Sequence, residues 1–205
     1  MKKFLCKVIF FMIVFIFMSK LPVSSQTFKG GLMAGFTGSQ MDGDNLSGYN
    51  KFGFTGGVFA STNFNDSWGM QTELKFIMKG AAKPVTNIDP TIYKMTLFYY
   101  ELPVVVTLKT AQKVKLESGL AFAYLSRANL NNVDGIQNLT SQFRKTDISL
   151  IFGVYYILNE KISANLKYSY SLKRVSTSII GNMTIWGTYG LYNNLFDLSL
   201  YYTIK

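Results

Sequence analysis

The stretch Tyr99–Tyr124, YYELPVVVTLKTAQKVKLESGLAFAY, decides the fold. It alternates apolar and polar positions on both sides of Thr110-Ala111-Gln112-Lys113, so it reads as two strands joined by a tight turn. Tyr100, Leu102, Val104, Val106 and Leu108 share one face of the first strand, and Val114, Leu116, Leu120, Phe122 and Tyr124 share one face of the second. The opposite faces carry Glu101, Lys115 and Glu117 among small residues. A soluble sandwich would bury the apolar face and leave the charges outside. Long strands with an aromatic-rich face opposite charges also fit a barrel in lipid, where the polar face turns inward.

Working outward from that hairpin, six more segments show period-2 alternation. Two Gly-rich ones, about Phe28–Ser39 and Phe52–Thr62, open the series, with Phe52, Phe54, Val58 and Ala60 on one face. Glycine weakens a strand but suits the tight curvature of a small barrel. In Trp68–Lys79, residues Trp68, Met70, Leu74, Phe76 and Met78 oppose Gln71, Glu73, Lys75 and Lys79. Thr146–Leu158 and Ile162–Lys173 follow the hairpin. In the latter, Ile162, Ala164, Leu166, Tyr168, Tyr170 and Leu172 face away from Ser163, Asn165, Lys167, Ser169, Ser171 and Lys173. The last strand sets Phe196, Leu198, Leu200, Tyr202 and Ile204 against Asp197, Ser199 and Thr203.

The connections alternate in length. Those after the second, fourth and sixth strands are about three to five residues, and the others about 11 to 20, the long ones including Gly80 to Met95 and Arg127 to Lys145. Short turns on one side and long loops on the other mark an outer-membrane barrel with both ends in the periplasm. No run after the N-terminal segment is apolar for the length of a membrane helix, so strands must do the crossing. The pattern predicts an all-β, eight-stranded antiparallel up-and-down transmembrane β-barrel.

Composition agrees. Aromatic residues make up 16% and charged residues 16% of the 205 residues, with 17 Gly and only 4 Pro. The first segment has Lys2, Lys3 and Lys7 ahead of an apolar run from Val8 to Met18 and small residues at Ser24 and Ser25. This reads as an export signal over residues 1–25, leaving a barrel domain at 26–205. The apolar run is about half the roughly 20 residues that a membrane anchor needs. Removing it takes four lysines from the net charge of +10. The remaining lysines are scattered in an exported protein, which argues against a nucleic-acid partner. The only cysteine, Cys6, leaves with the signal, and the chain has no His. Thiol chemistry and His-based metal or acid–base sites are thereby excluded, and no cofactor or metal site is expected.

Inward-facing charges are the candidate site: Glu73, Lys75, Glu101, Lys115, Glu117, Lys167 and Asp197. An eight-stranded barrel is just wide enough inside for its own side chains. Charges there must pair, because an unpaired buried charge costs several kcal/mol. Glu73 with Lys75 or Lys115, and Glu117 with Lys167, are the expected partners. The carboxylates come without a nucleophile–base arrangement, so the expectation is a plug and no enzyme. Tyr99–Tyr100, Tyr124, Tyr155–Tyr156, Tyr168, Tyr170 and Tyr201–Tyr202 could form a sugar-stacking platform, but those on the apolar face read as interfacial belts. Met41-Asp42-Gly43-Asp44-Asn45 lacks the closing Glu of a calcium loop and reads as solvated.

Several stretches resemble one family, the PorT-like outer-membrane β-barrel proteins of Bacteroidetes. They are GGLMAGFTGS at Gly30–Ser39, TELKFIMKGA at Thr72–Ala81 and YYELPVVVTLK at Tyr99–Lys109. VKLESGLAFAYL and DISLIFGVYYILNEKISANLKYSYSLKRV look similar to the closing hairpins of that family. The resemblance covers nearly the whole exported chain, and its order and spacing are more specific than any single motif. It implies an integral protein of the bacterial cell outer membrane with a structural or protein-interaction role, in contact with outer-membrane lipid. Envelope or secretion proteins are the implied partners, met through the loops. The alternatives are a narrow channel for small solutes and a soluble periplasmic lipid-binding barrel.

Overall fold

Nine strands form in the computed structural model, which describes residues 28–84, 92–178, 181–184 and 187–204. The expected export signal lies outside the described residues. The strands are β1 (Phe28–Asp42), β2 (Lys51–Asn63), β3 (Trp68–Ala82), β4 (Tyr93–Lys109), β5 (Val114–Asn132), β6 (Gly135–Asn138), β7 (Thr146–Ile157), β8 (Ile162–Ser171) and β9 (Tyr192–Thr203). Each pairs antiparallel with its neighbour, β4 pairs with both β3 and β5, and β1 pairs with both β2 and β9. The sheet therefore closes on itself. Eight strands are staves, and β6 only extends a hairpin from the top of β5. The protein is a closed, eight-stranded antiparallel barrel, as the alternation predicts.

The pleat puts the wrong residues outside for a protein in water. Leu116, Leu120, Phe122 and Tyr124 of β5 are exposed on the outer wall, whereas Glu117, Ala121 and Ala123 are buried. The same inversion recurs in β3, β8 and β9, where Leu74, Leu166 and Leu198 are exposed beside buried Lys75, Lys167 and Asp197. An apolar wall round a charged interior is stable only where the wall meets hydrocarbon.

Three connections are tight: 64–67, 110–113 and 158–161. Two of them use the same device. Asn65 Oδ1 accepts from the backbone N–H groups of Ser67 and Trp68 at 2.9 and 2.8 Å. Asn159 Oδ1 accepts from those of Lys161 and Ile162, both at 2.9 Å. Such side-chain turns satisfy backbone donors where the ladder stops.

The strand boundaries differ from expectation on the long-loop side. β4 begins at Tyr93, inside the expected Gly80–Met95 loop, and β5 runs to Asn132, well into the expected Arg127–Lys145 loop. The cause is a register shift: Phe98 pairs with Arg127 and the next residue, Tyr99, with Leu125. Ser126 is the extra residue, both Ser126 and Arg127 are exposed, and the apolar/polar rhythm breaks while the strand continues. The connections 43–50 and 83–92 are also shorter than predicted, because β1 and β3 run on to Asp42 and Ala82.

The interior is layered. Toward the long loops an apolar cluster fills the lumen, including Met41, Ile77, Leu97, Leu125, Phe143 and Leu195. Charged residues occupy the middle. Below them Met33, Phe59, Tyr155 and Tyr201 close the short-turn side, with Tyr201 edge-on to Phe59 and to Tyr155 at centroid distances of 5.2 and 5.1 Å.

Candidate functional site

Alternation on neighbouring staves aims three lysines and five carboxylates into the middle layer. Lys75 Nζ lies 2.9 Å from Asp197 Oδ2, 3.5 Å from Glu101 Oε1 and 3.7 Å from Glu73 Oε2. Lys79 Nζ reaches Glu101 Oε2 at 2.6 Å and Asp147 Oδ2 at 3.6 Å. Lys167 Nζ bonds Glu73 Oε1 directly and lies 3.8 Å from Glu117 Oε1. All eight side chains are buried.

Neutral groups complete the set. Tyr201 OH accepts from Lys167 Nζ at 2.8 Å and donates to Glu73 Oε1 at 2.8 Å. Gln71 Nε2 donates to the same Glu73 oxygen at 2.8 Å. Asn165 Nδ2 donates to Glu117 Oε1 at 2.8 Å, and Ser199 Oγ to Asp197 Oδ1. Asp147 Oδ2 accepts from Ser171 Oγ and from Asn193 Nδ2, both at 3.0 Å. Removing charges from water costs several kcal/mol per ion, and multiple partners are what offset it. Glycine makes the room: a Cβ on Gly153 would stand 2.3 Å from Glu117 Oε1, and one on Gly57 2.6 Å from Lys75 Cα.

Six of the seven residues singled out in the sequence meet in this layer: Glu73, Lys75, Glu101, Glu117, Lys167 and Asp197. Lys115 does not. It is the second residue of β5, half-buried at the short-turn mouth, where it lines a cavity of about 500 Å³ with Lys29 and Lys161. Of the two partners expected for Glu73, Lys75 stands 3.7 Å away and Lys115 is corrected to Lys167. Alternation gave Lys115 the right side of the wall, but its position at the strand end puts it below the charged layer. Two members were missed, Lys79 and Asp147. Their signal was present, since both occupy inward parity, but neither stood out among the loop-proximal residues.

The tyrosine pairs also separate. Tyr99, Tyr155 and Tyr201 point into the lumen, while Tyr100, Tyr156 and Tyr202 stand exposed on the outer wall. Lys79 Nζ sits 5.1 Å from the centre of the Tyr99 ring and Lys167 Nζ 5.3 Å from that of Tyr201, so these two rings border the ionic layer, Tyr99 from the apolar cluster and Tyr201 from the aromatic one. Among the described residues no group of three or more His, Cys, Asp or Glu is arranged to hold a metal ion.

A family model described as outer membrane protein beta-barrel domain matches residues 24–176. The chain belongs to this family. An outer membrane protein beta-barrel domain sits in the outer membrane with lipid against its wall, which the exposed Leu, Val and Phe rows require. In fold it is similar to the crystal structure of Ail, the attachment invasion locus protein of Yersinia pestis, with a TM-score of 0.52 and 14% identity over 86% of this chain and 98% of that one. It is likewise similar to Neisserial surface protein A, with a TM-score of 0.51 and 13% identity over 85% and 96% of the two chains. Both likenesses concern the barrel alone. No curated protein matches the chain in sequence.

Proposed function

We propose that this outer-membrane barrel is a closed, non-conducting and non-enzymatic component that acts through its loops on other envelope proteins. The observation that carries this reading is the filled lumen: an apolar cluster, a cross-linked ionic layer and an aromatic layer follow one another along the axis. In this reading Glu73, Lys75, Glu101, Glu117, Lys167 and Asp197 serve as the plug of the barrel, and Lys115 lines its periplasmic mouth. Residues 1–25 direct export and are removed, leaving 26–205 as the inserted domain.

The resemblance to PorT-like barrels favours secretion or envelope assembly as the process served. The Glu101-Leu102-Pro103 segment that carries the resemblance is wall and plug, so its role is to build the barrel that presents the loops. Planar-bilayer recording of the purified barrel tests closure: no steady single-channel current is expected, and a stable open conductance would overturn the proposal. Crosslinking in intact cells followed by detergent extraction tests the second half. Loop-dependent adducts with envelope proteins are the expected result.

A further inference from the structure

The chain contains three arginines, Arg127, Arg144 and Arg174, and its other cations are lysines. All three lie at the long-loop ends of consecutive staves. Arg127 is in β5, Arg144 lies two residues before β7, and Arg174 lies three residues after β8. Backbone bonds lock these ends together. Leu125 N–H donates to Lys145 O at 2.7 Å, and Arg144 N–H donates to Val175 O at 2.7 Å. Adjacent strands stand about 4.8 Å apart, so the three positions fall within a lateral span of about 10 Å.

Their side chains turn away from the lumen. The adjacent residues Ala128, Phe143 and Val175 are buried in the apolar cluster that caps it, while Arg127 and Arg144 are exposed and Arg174 is half-buried. Among the described residues none of the three joins an ion pair. Arg127 Nε donates to Asn129 Oδ1 at 2.9 Å and Arg144 Nε to Ser176 O at 3.4 Å, which leaves the terminal guanidinium nitrogens free. Lys145 and Lys173 flank them, both exposed. The neighbouring carboxylates are committed elsewhere: Asp147 is buried with Lys79, and Asp134 sits at the hairpin tip beside Asn132.

Directly beneath the cations, Tyr124 and Leu172 are more than half exposed on the outer wall. Arg127 lies about 10 Å further along β5 than Tyr124, which is head-group height above an interfacial aromatic ring. The long-loop end of such a barrel faces outside. Guanidinium forks match phosphate oxygens two at a time, and basic clusters beside a bilayer draw anionic head groups. A soluble anion would have no use for the apolar wall below. We infer that Arg127, Arg144 and Arg174 form a binding site for the phosphorylated head group of an outer-leaflet lipid, whose acyl chains lie along Tyr124 and Leu172.

Native mass spectrometry of the refolded barrel, titrated with bis-phosphorylated lipid A and with its dephosphorylated form, tests this. The phosphorylated lipid is expected to bind, with affinity falling about tenfold or more in R127Q/R144Q/R174Q. The R127K/R144K/R174K barrel keeps the charge and is expected to bind at intermediate strength. The K29Q/K115Q barrel, changed only at the opposite mouth, is expected to bind like the parent. Inorganic phosphate is expected to compete only weakly. Unchanged affinity in the glutamine variant, equal binding of the dephosphorylated lipid, or an equal loss in K29Q/K115Q would each overturn the assignment. Heat-modifiable electrophoretic mobility establishes that each variant has closed its barrel, and the lysine variant carries the comparison should the glutamine one fail to close.

Discussion

Lys79 Nζ lies 2.6 Å from Glu101 Oε2, with both side chains buried, on adjacent staves near the top of the ionic layer. Glu101 is also held by Lys75, and Lys79 also faces Asp147. The pair therefore couples the two halves of the layer, one centred on Glu73 and Asp197 and the other on Asp147.

Removing one member leaves an uncompensated charge in a dry site. Lys79→Met is expected to destabilise the barrel by about 3–5 kcal/mol, read as a lower urea midpoint in micelles. Adding Glu101→Gln in the same chain removes one stranded carboxylate and is expected to recover part of the loss. Additive losses in the double variant would show that the two residues are not coupled.

Gly56 and Gly57 are neighbours in β2 with opposite tolerances. A Cβ on Gly57 would stand 2.2 Å from Leu74 O and 2.6 Å from Lys75 Cα, both backbone atoms that the β2–β3 ladder fixes. On Gly56 the nearest atom is Met33 O at 3.6 Å, an ordinary contact. Gly57→Ala is expected to yield little closed barrel by heat-modifiable mobility, and Gly56→Ala to fold like the parent. The contrast isolates the inner face from any general effect of glycine on strand propensity.

These residues show what the alternation could and could not reveal. Period 2 gives the side of the wall along β3, β4, β5, β8 and β9, and hence six charged members of the inner layer: Glu73, Lys75, Glu101, Glu117, Lys167 and Asp197. It carries no height along the axis. Lys115 and Lys79 share inward parity, yet one sits at the mouth and the other in the charged layer. Parity also fails at the register shift beside Ser126, which is why the top of β5 read as a loop. Pairing across staves was equally hidden: Lys75 meets Asp197 across 122 residues of sequence, and only closure between β1 and β9 brings β3 and β9 to the same side.

Asp44 lies in the 43–50 connection, where its Oδ1 accepts from Leu46 N–H at 2.9 Å. Burial, helped by the charge of Asp42 and opposed by the Leu46 bond, pushes its carboxyl up to about 6 from an ordinary 3.8. The folded loop thus holds the proton more tightly than the unfolded chain does. Its contribution is complete below 3.8 and is lost as pH rises to about 6, so stability falls with pH across that window. A carboxyl carbon-13 titration of Asp44 is expected to show a midpoint near 6. Asp44→Asn is expected to remove the associated pH dependence of loop exchange, and an unchanged dependence would assign it to another group.

Tyr201 and Tyr202 separate the two faces of β9 within one peptide unit. Tyr201 is 3% exposed, and its hydroxyl links Lys167 to Glu73, whereas Tyr202 is 47% exposed on the lipid wall. Tyr201→Phe keeps the ring against Phe59 and Tyr155 but strips one acceptor from a buried ammonium and one donor from a buried carboxylate. The expected cost is about 1–3 kcal/mol. Tyr202→Phe loses no buried bond and is expected to stay within about 0.5 kcal/mol of the parent. Urea midpoints in micelles measure both. Equal midpoints would mean that the Tyr201 hydroxyl is dispensable and that Lys167 and Glu73 hold each other unaided.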